Sequence, residues 1–251
     1  MARKPTLSPS KISTFLACPA KYYWTYINEE GRFFMRGKSY FSFGSSLHSV
    51  LQNFHDEGNT QVTTVEEALA DLEENWISAG YSSAQEMEEA LGQGKQILEA
   101  YIQRHVETPT QARTILIEKQ LRHDLGDFVL IGRVDRVDEH EDGTLEVIDY
   151  KSGRETVDVA DIENDLAMGC YQVLLRAKYP GQPVRATIIA LKTGASATAS
   201  LQDEEQFLHD LREIGQVILN KAWDEYRPKP IDLCSTCDFL PLCRRAGYDE
   251  S

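Results

Sequence analysis

The chain has 251 residues, of which 41% are hydrophobic, which is enough for one large domain or for one domain with a small appendage. Its net charge of −14 is unusual for a nucleic-acid binder, because such proteins neutralise phosphates with basic residues. No apolar run approaches the ~18 to 20 residues that cross a bilayer, and the N-terminus lacks the apolar segment of a signal peptide. We therefore expect a cytoplasmic protein with no membrane partner.

The charge is unevenly distributed along the chain. Residues 1–43 hold seven Lys or Arg against two acidic residues, whereas residues 51–100 hold eleven acidic residues against one lysine. The first segment also carries ten of the 23 aromatic residues. Basic residues interleaved with aromatic rings suit single-stranded nucleic acid, whose bases stack on rings while its phosphates meet cations. The alternative is that most of these rings belong to the core.

The N-terminal half of the chain is predicted to be helical. Ser8 followed by Pro9 is typical of a helix start, and this helix should end near Cys18. A capping box formed by Thr64 and Glu67 begins a later helix. From these signals and from the spacing of apolar residues, the predicted helices span about 8–18, 45–55, 64–76 and 83–105.

Strands dominate the next part of the chain. The predicted strands span 113–121, 128–137, 145–151, 184–191 and 197–201, and further helices are predicted over 159–177 and 203–223. The order is helices, three antiparallel strands, a helix, one or two strands and a last helix. Such an order favours an α/β fold with a central mixed β-sheet flanked by helices.

The second and third predicted strands form a β-hairpin that carries charged residues among apolar ones. Side chains alternate along a strand, so Asp149 and Lys151 should share one face and Tyr150 the other. Burying such charges without a partner is unfavourable. Mg²⁺ and Mn²⁺ prefer carboxylate and carbonyl oxygens, so Asp135, Asp149 and the backbone carbonyl of Tyr150 are predicted metal ligands. Lys151 would orient an attacking water and offset negative charge in a phosphodiester transition state.

Five cysteines in a cytoplasmic chain indicate metal binding or catalysis rather than disulfides. Cys234, Cys237 and Cys243 form a C-x2-C-x5-C pattern near the C-terminus, and Cys18 lies near the N-terminus. Cys170 falls within an apolar helical pattern, so we interpret it as a buried structural cysteine.

The Gly-Arg-Val-Asp stretch ending at Asp135, taken with Ile-Asp-Tyr-Lys-Ser-Gly around Asp149, resembles the active-site motif of the PD-(D/E)XK nuclease superfamily, in its RecB-like branch. The opening Leu-Ser-Pro-Ser-Lys-Ile and the Cys-Pro-Ala-Lys-Tyr from Cys18 are similar to the N-terminal signature of that branch. The resemblance implies a restriction-endonuclease-like core. The implied organisation is a single nuclease domain over 1–251, with a basic aromatic N-terminal segment (1–43), a catalytic sheet core (113–201) and a cysteine-bearing tail (228–251).

The resemblance also implies roles for single residues. The implied catalytic residues are Asp135, Asp149, Lys151 and Gln172, and the implied metal ligands are His48, Asp135, Asp149 and the Tyr150 carbonyl. An imidazole ligand fits Mn²⁺ better than Mg²⁺. Gln172 matches the glutamine of the family's Gln-x-x-x-Tyr helix, a contact to substrate or to a metal-bound water, but Arg176 stands at the tyrosine position and is itself a candidate phosphate contact. Glu118, on the preceding strand, is either a further acidic contributor or a solvated edge residue.

The cysteines fit the same branch, which implies that Cys18, Cys234, Cys237 and Cys243 hold a 4Fe-4S cluster. Such a cluster needs four thiolates and would join the N- and C-terminal segments of the chain. A four-cysteine zinc site uses the same thiolates and remains the alternative.

Together these patterns predict a Mg²⁺- or Mn²⁺-dependent deoxyribonuclease, an exonuclease that acts on single-stranded or end-containing DNA in DNA repair or recombination. Its expected partners are single-stranded DNA and a helicase or other DNA-processing protein. The chain itself contains no Walker A loop. One alternative is a CRISPR-associated Fe-S exonuclease that trims DNA for spacer acquisition, which a neighbouring integrase gene would indicate. The other is a non-catalytic DNA-binding scaffold subunit that keeps the fold and the cluster.

Overall fold

The computed structural model describes residues 4–56, 62–108, 110–229 and 232–248. In chain order the strands and helices are β1 (Thr6–Leu7), α1 (Pro9–Ala17), α2 (Pro19–Tyr26), α3 (Ser39–His55), α4 (Val65–Glu74), α5 (Ala84–Glu107), β2 (Arg113–Asp124), β3 (Val129–Glu139), β4 (Leu145–Lys151), α6 (Val159–Glu163), α7 (Leu166–Lys178), β5 (Val184–Ala190), β6 (Ala195–Ala199), α8 (Glu204–Leu219) and α9 (Leu240–Arg245). Short 3₁₀ turns lie at Glu29–Phe33, Trp223–Glu225 and Asp232–Thr236.

The polypeptide divides into two compact units. The first comprises Met1–Arg36, Arg122–Ile131 and Asp203–Ser251, and the second comprises Gly37–Leu121 and Gly132–Gln202. Strands β2 and β3 each have residues in both units. The single-domain organisation over 1–251 stays a prediction.

Local sequence signals explain several helix ends. The Ser8 side chain accepts a hydrogen bond from the Lys11 backbone N–H, as its predicted N-cap role requires, and α1 then starts at Pro9. The capping box of Thr64 and Glu67 is present at the start of α4. One predicted helix, 159–177, is instead two helices, because Asp165 caps a new helix by accepting hydrogen bonds from two backbone N–H groups.

The second unit contains most of the sheet. Strands β3, β4, β5 and β6 lie side by side in that order, and β2 pairs with β3. The β3–β4 pair is antiparallel, which confirms the predicted hairpin, and β4 runs parallel to β5, so the sheet is mixed as predicted. Helices α6 and α7 make the connection that a parallel pair requires, and α7 packs on β4 and β5.

Helices α3, α4 and α5 bury one face of β4. Ile148 and Tyr150 pack into a core that these helices fill with residues such as Leu47, Leu72 and Leu98, all fully buried. Because side chains alternate along a strand, Asp149 and Lys151 project from the opposite face of β4. The hydrophobic core thus fixes the strand that carries the charged pair.

The first unit is built around α1, α2 and α8, with β1 paired in parallel to the first residues of β3. Part of the N-terminal aromatic segment is core here: Phe15 and Tyr22 are buried and contact the ring of Tyr226. Phe33, in contrast, is 75% exposed. Gly215 of α8 lets Phe128 approach closely, because a Cβ at Gly215 would lie 2.2 Å from the Phe128 ring.

The described part of the chain contains no helix with both the length and the apolar character of a membrane span.

Candidate active site

The predicted metal ligands meet in the second unit, where β3, β4 and α3 converge. Arg136 of β3 pairs with Ile148 of β4. In this antiparallel register the next residue along each strand is an aspartate, so Asp135 lies opposite Asp149. The Tyr150 backbone N–H donates to Asp135 Oδ2 at 2.9 Å, which anchors the Asp135 carboxylate. The hairpin register therefore brings the two predicted aspartates together.

Asp149 and Lys151 form an ion pair on β4. Lys151 Nζ lies 2.6 Å from Asp149 Oδ2, and the Asp149 side chain is only 9% exposed. Burial and the charge of Asp135 raise the pKa of Asp149, against the opposing effect of Lys151. Burial alone would lower the pKa of Lys151, but the Asp149 charge outweighs it and raises that pKa. Lys151 is therefore held as an ammonium.

His48 of α3 bridges the two strands. Its Nε2 lies 3.0 Å from the Tyr150 carbonyl oxygen, and its Nδ1 lies 3.4 Å from Asp135 Oδ2. A carbonyl only accepts hydrogen bonds, so Nε2 carries a proton and, in the neutral ring, Nδ1 is free to act as a ligand. Burial lowers the pKa of His48, but the hydrogen bond and charge of Asp135 outweigh it and raise the pKa. The Tyr150 carbonyl keeps one lone pair for its predicted metal contact.

Glu118 of β2 completes the group. It has a backbone φ of 45°, the one positive φ outside glycine in the described ranges, and its side chain is only 13% exposed. Its Oε1 lies 4.0 Å from His48 Nδ1, and its Oε2 lies 2.6 Å from Arg133 Nε. Burial and the charge of Asp135 raise the pKa of Glu118, and Arg133 opposes them. Glu118 is therefore part of the site and not a solvated edge residue.

The side chains present fit a divalent cation. His48, Glu118 and Asp135 each offer one ligand atom, and these atoms all lie within 4.8 Å of one another. With Asp149, three carboxylates are gathered in a partly buried space, where like charges oppose ionisation. A cation relieves that repulsion, and carboxylate with imidazole ligands suits Mn²⁺ and, less well, Mg²⁺.

Gln172 of α7 is a buried residue whose amide is bound by backbone groups. It is 2% exposed, its Oε1 accepts from the Leu201 N–H at 2.8 Å, and its Nε2 donates to the Met168 carbonyl at 3.4 Å. Arg176 donates to the Leu201 carbonyl at 3.3 Å. The Gln172 amide is thus engaged by backbone groups, and its predicted contact to substrate or to a metal-bound water stays a prediction.

Tyr171, the neighbour of Gln172, is influenced by the charges of both aspartates. Its ring packs against Gly132, where an added Cβ would lie 2.9 Å from Cε1. Burial raises the pKa of the Tyr171 phenol, and the charges of Asp149 and Asp135 raise it further. The tyrosine of α7 that lies near the site is therefore at position 171, directly before Gln172. It is not at position 176, four residues after Gln172, where this chain has an arginine.

The four predicted cluster ligands all lie in the first unit. Cys18 is buried, and its Sγ accepts a hydrogen bond from the Lys229 N–H at 3.4 Å. Burial, followed by the charges of Cys18, Cys237 and Cys234, raises the pKa of Cys243 to about 11. Among the described residues no three of these sulfur atoms lie within 4.8 Å of one another. Cys170 is fully buried in α7 of the second unit, in line with the predicted structural role.

A cleft of about 980 Å³ opens over the candidate metal site. Its floor carries ligand candidates and the β4 lysine, and its walls carry aromatic rings and basic side chains. The floor includes His48, Glu118, Asp135 and Lys151, and the walls include Tyr40, Phe41, Arg133, Arg154 and Lys192.

Comparison with known proteins covers almost the whole chain. Residues 6–244 match a family described as the PD-(D/E)XK nuclease superfamily. A solved structure titled "Crystal structure of SSO0001" is similar with 14% sequence identity and a TM-score of 0.43, over 98% of this chain and 88% of that chain. No curated protein matches. The family match includes every residue of the candidate site.

Proposed function

Because this chain belongs to the PD-(D/E)XK nuclease superfamily, we propose that it is a metal-dependent deoxyribonuclease of the RecB-like branch. One observation carries the proposal: the Asp149–Lys151 ion pair lies beside three further ligand candidates, His48, Glu118 and Asp135. Cation ligands and a protein ammonium group thus share the floor of one open cleft.

The roles of the residues follow from their contacts. A bound Mg²⁺ or Mn²⁺ would polarise the phosphoryl group, lower the pKa of water and help to position the substrate. Asp135, Asp149 and His48 would hold the cation, with the Tyr150 carbonyl as a further ligand. The Lys151 ammonium, kept protonated by Asp149, donates a hydrogen bond to the attacking water or to a phosphate oxygen and offsets developing negative charge.

We further propose that the enzyme is an exonuclease acting on single-stranded or end-containing DNA in repair or recombination. The support is electrostatic. The chain has a net charge of −14, which opposes long tracts of duplex phosphates, whereas the cleft lining contains four Lys or Arg residues against three acidic ones. DNA therefore has a favourable approach at the cleft.

The test is a cleavage assay with purified protein. Linear single-stranded, circular single-stranded, blunt duplex and RNA substrates are each incubated with Mg²⁺ and with Mn²⁺. We expect linear single-stranded DNA to be shortened fastest, with Mn²⁺, and circular DNA to resist. Cleavage of the circle at the linear rate would contradict the exonuclease proposal, and no cleavage of any substrate would contradict the nuclease proposal.

Matched variants locate the activity. Asp149→Ala and Lys151→Ala should each abolish cleavage while the circular dichroism spectrum is kept. The control is Lys95→Ala, which breaks an exposed lysine–glutamate pair with Glu73 in the same unit. Its rate should equal the wild-type rate, because exposed pairs contribute little and Lys95 does not line the cleft. Wild-type activity in either β4 variant would refute the site.

We also propose that Cys18, Cys234, Cys237 and Cys243 hold a 4Fe-4S cluster in the first unit. Their pattern, their common unit and the Lys229 N–H bond to Cys18 support this, since hydrogen bonds to the sulfurs are among the contacts by which proteins tune such clusters. Anaerobically purified protein should be coloured and contain iron and sulfide. Cys237→Ala should lose both, and the control Cys170→Ala should keep both. Colourless protein containing one zinc would favour the zinc site instead.

A further inference from the structure

We propose that Tyr40 and Phe41 form a stacking platform for unpaired bases at the cleft wall, through which the active site engages single-stranded DNA. This inference deepens the proposed nuclease function and rests on it. Metal-dependent hydrolysis itself does not require these two rings.

The exposure of the two rings is the first observation. Tyr40 is 63% exposed and Phe41 is 65% exposed, and their ring centroids lie 4.4 Å apart with an interplanar angle of 45°. Phe43, two residues on, instead packs edge-on against Trp76. Burial would stabilise large apolar side chains, so an adjacent exposed pair is a surface that a ligand can cover.

The position of the rings is the second observation. Tyr40 and Phe41 lie in the first turn of α3, and His48 lies farther along the same helix. At 1.5 Å per residue, seven or eight residues correspond to roughly 10–12 Å along the axis. Stacked bases are spaced by about 3.4 Å along one strand. The distance along the helix axis from the rings to His48 therefore corresponds to about three stacked nucleotides.

The charges of the cleft complement this ligand. Arg133, Arg154 and Lys192 line the same cleft as the rings, and the Arg133 side chain is 64% exposed. The helix dipole of α3 adds a partial positive charge at the end that carries the rings. Rings for bases and cations for phosphates are the two elements of single-strand binding sites.

Ring stacking also discriminates between single and double strands. In a duplex both faces of each base are already covered by its neighbours, so an aromatic side chain can stack only on a base that is unpaired or at a frayed end. Stacking is tolerant of sequence because every base has a π face. The platform therefore predicts a preference for strand state without a preference for base identity.

The experiment measures binding without cleavage. Fluorescence anisotropy of labelled oligothymidylate is recorded with Ca²⁺, which binds oxygen ligands in a more flexible geometry than Mg²⁺. The double variant Tyr40→Ala/Phe41→Ala should bind about five- to 150-fold more weakly than wild type for each base stacked. The ring-keeping variant Tyr40→Phe/Phe41→Tyr should bind within about twofold of wild type, on the basis that either ring can stack.

Two further variants separate stacking from other effects. The double variant Tyr40→Leu/Phe41→Leu keeps apolar area but has no π face. It should bind nearly as weakly as Tyr40→Ala/Phe41→Ala. Val106→Ala removes an exposed apolar side chain elsewhere in the same unit and should leave binding unchanged. Tight binding by either the alanine or the leucine variant would overturn the proposal.

An abasic strand supplies the independent readout. An oligonucleotide of equal length and charge but without bases should bind wild type and the alanine variant equally, because nothing remains to stack. If wild type cleaves single strands while the alanine variant binds normally, only the platform is refuted. If wild type binds through the rings but never cleaves DNA, the nuclease proposal fails and the platform stands.

Discussion

Arg136 lies next to Asp135 on β3 at the centre of a buried polar cluster, and we predict that Arg136→Met strongly destabilises the protein. Its Nη2 donates to Asp138 Oδ2 at 2.8 Å, and the two side chains are only 7% and 4% exposed. Its Nη1 donates to the hydroxyls of Tyr150 and Tyr101 at 3.0 and 3.1 Å. Tyr150 also supplies the carbonyl that faces His48, so this cluster supports the active site from the opposite face of β4.

The size of the effect follows from what the variant leaves behind. Methionine fills similar space without a charge, so the main loss is the partner of Asp138, which among the described residues then keeps the hydroxyl of Thr114 at 2.9 Å. Removing one partner of a buried ion pair costs about 3–5 kcal/mol. The buried Arg136 Nε has no hydrogen-bond partner among the described residues, and the variant removes that unsatisfied donor as well. We therefore expect the lower half of the range, about 3–4 kcal/mol.

Thermal unfolding followed by circular dichroism measures this prediction. For a chain of this length about 3–4 kcal/mol corresponds to a fall in Tm of roughly 6–16 °C. The control is Arg113→Met, which breaks the exposed ion pair between Arg113 and Glu139. It should lower the free energy of unfolding by no more than about 1 kcal/mol. The double variant Arg136→Met/Asp138→Val should recover stability relative to Arg136→Met, because no unpaired charge stays buried. A fall in Tm equal to that of the control, or a strictly additive double variant, would refute the reasoning.

Three further predictions concern other parts of the second unit. Gly132→Ala would place a methyl group 2.8 Å from Leu174 Cδ1, so Tm should fall by several degrees, in keeping with about 1–3 kcal/mol of overpacking, and an unchanged Tm would contradict the observed contact. Burial, with the Arg136 charge, lowers the pKa of His55 from 6.5 to about 2. Only the unfolded chain then takes up this proton, so this contribution to stability is complete well above pH 6.5 and should fall by about 2 kcal/mol by pH 5; urea midpoints should show this fall, and His55→Gln should flatten it. Glu118→Gly should raise Tm relative to Glu118→Ala because glycine adopts a positive φ without strain, while both variants should weaken Mn²⁺ binding in calorimetry; equal Tm values would argue against strain at this position.

Elements with local signals could be predicted from the sequence. The hairpin predicted over 128–137 and 145–151 is observed as Val129–Glu139 and Leu145–Lys151, because its β-branched strands and polar turn are continuous in sequence. The same residues that end α1, Cys18 and Pro19, also begin α2, and only the first of these two roles was predicted. Proline breaks one helix and fits the first turn of the next, so the pattern alone was ambiguous.

In the candidate site, too, some features could be predicted from the sequence and others could not. The meeting of His48, Asp135 and Asp149 could be predicted from the family motif, which the hairpin register then explains in physical terms. The contacts of Gln172 could not, because the Leu201 N–H, which donates to its amide oxygen, is brought near only by the packing of the loop after β6.

The sequence left two readings of Glu118 open, and the reason that it could not decide between them bears on function. In a regular strand its side chain would follow the alternation of β2, but a φ of 45° turns the backbone into a region that glutamate rarely adopts. Such a conformation costs of order 1–3 kcal/mol and persists only where neighbouring contacts impose it, here the Arg133 guanidinium at 2.6 Å and the His48 imidazole at 4.0 Å. The turn moves a carboxylate toward Asp135, where the like charge raises the pKa of Glu118 and adds to the unfavourable energy. A cation bound beside Glu118 and Asp135 would relieve the charge repulsion, so the position of the strained Glu118 is an argument that the cleft can hold a metal ion.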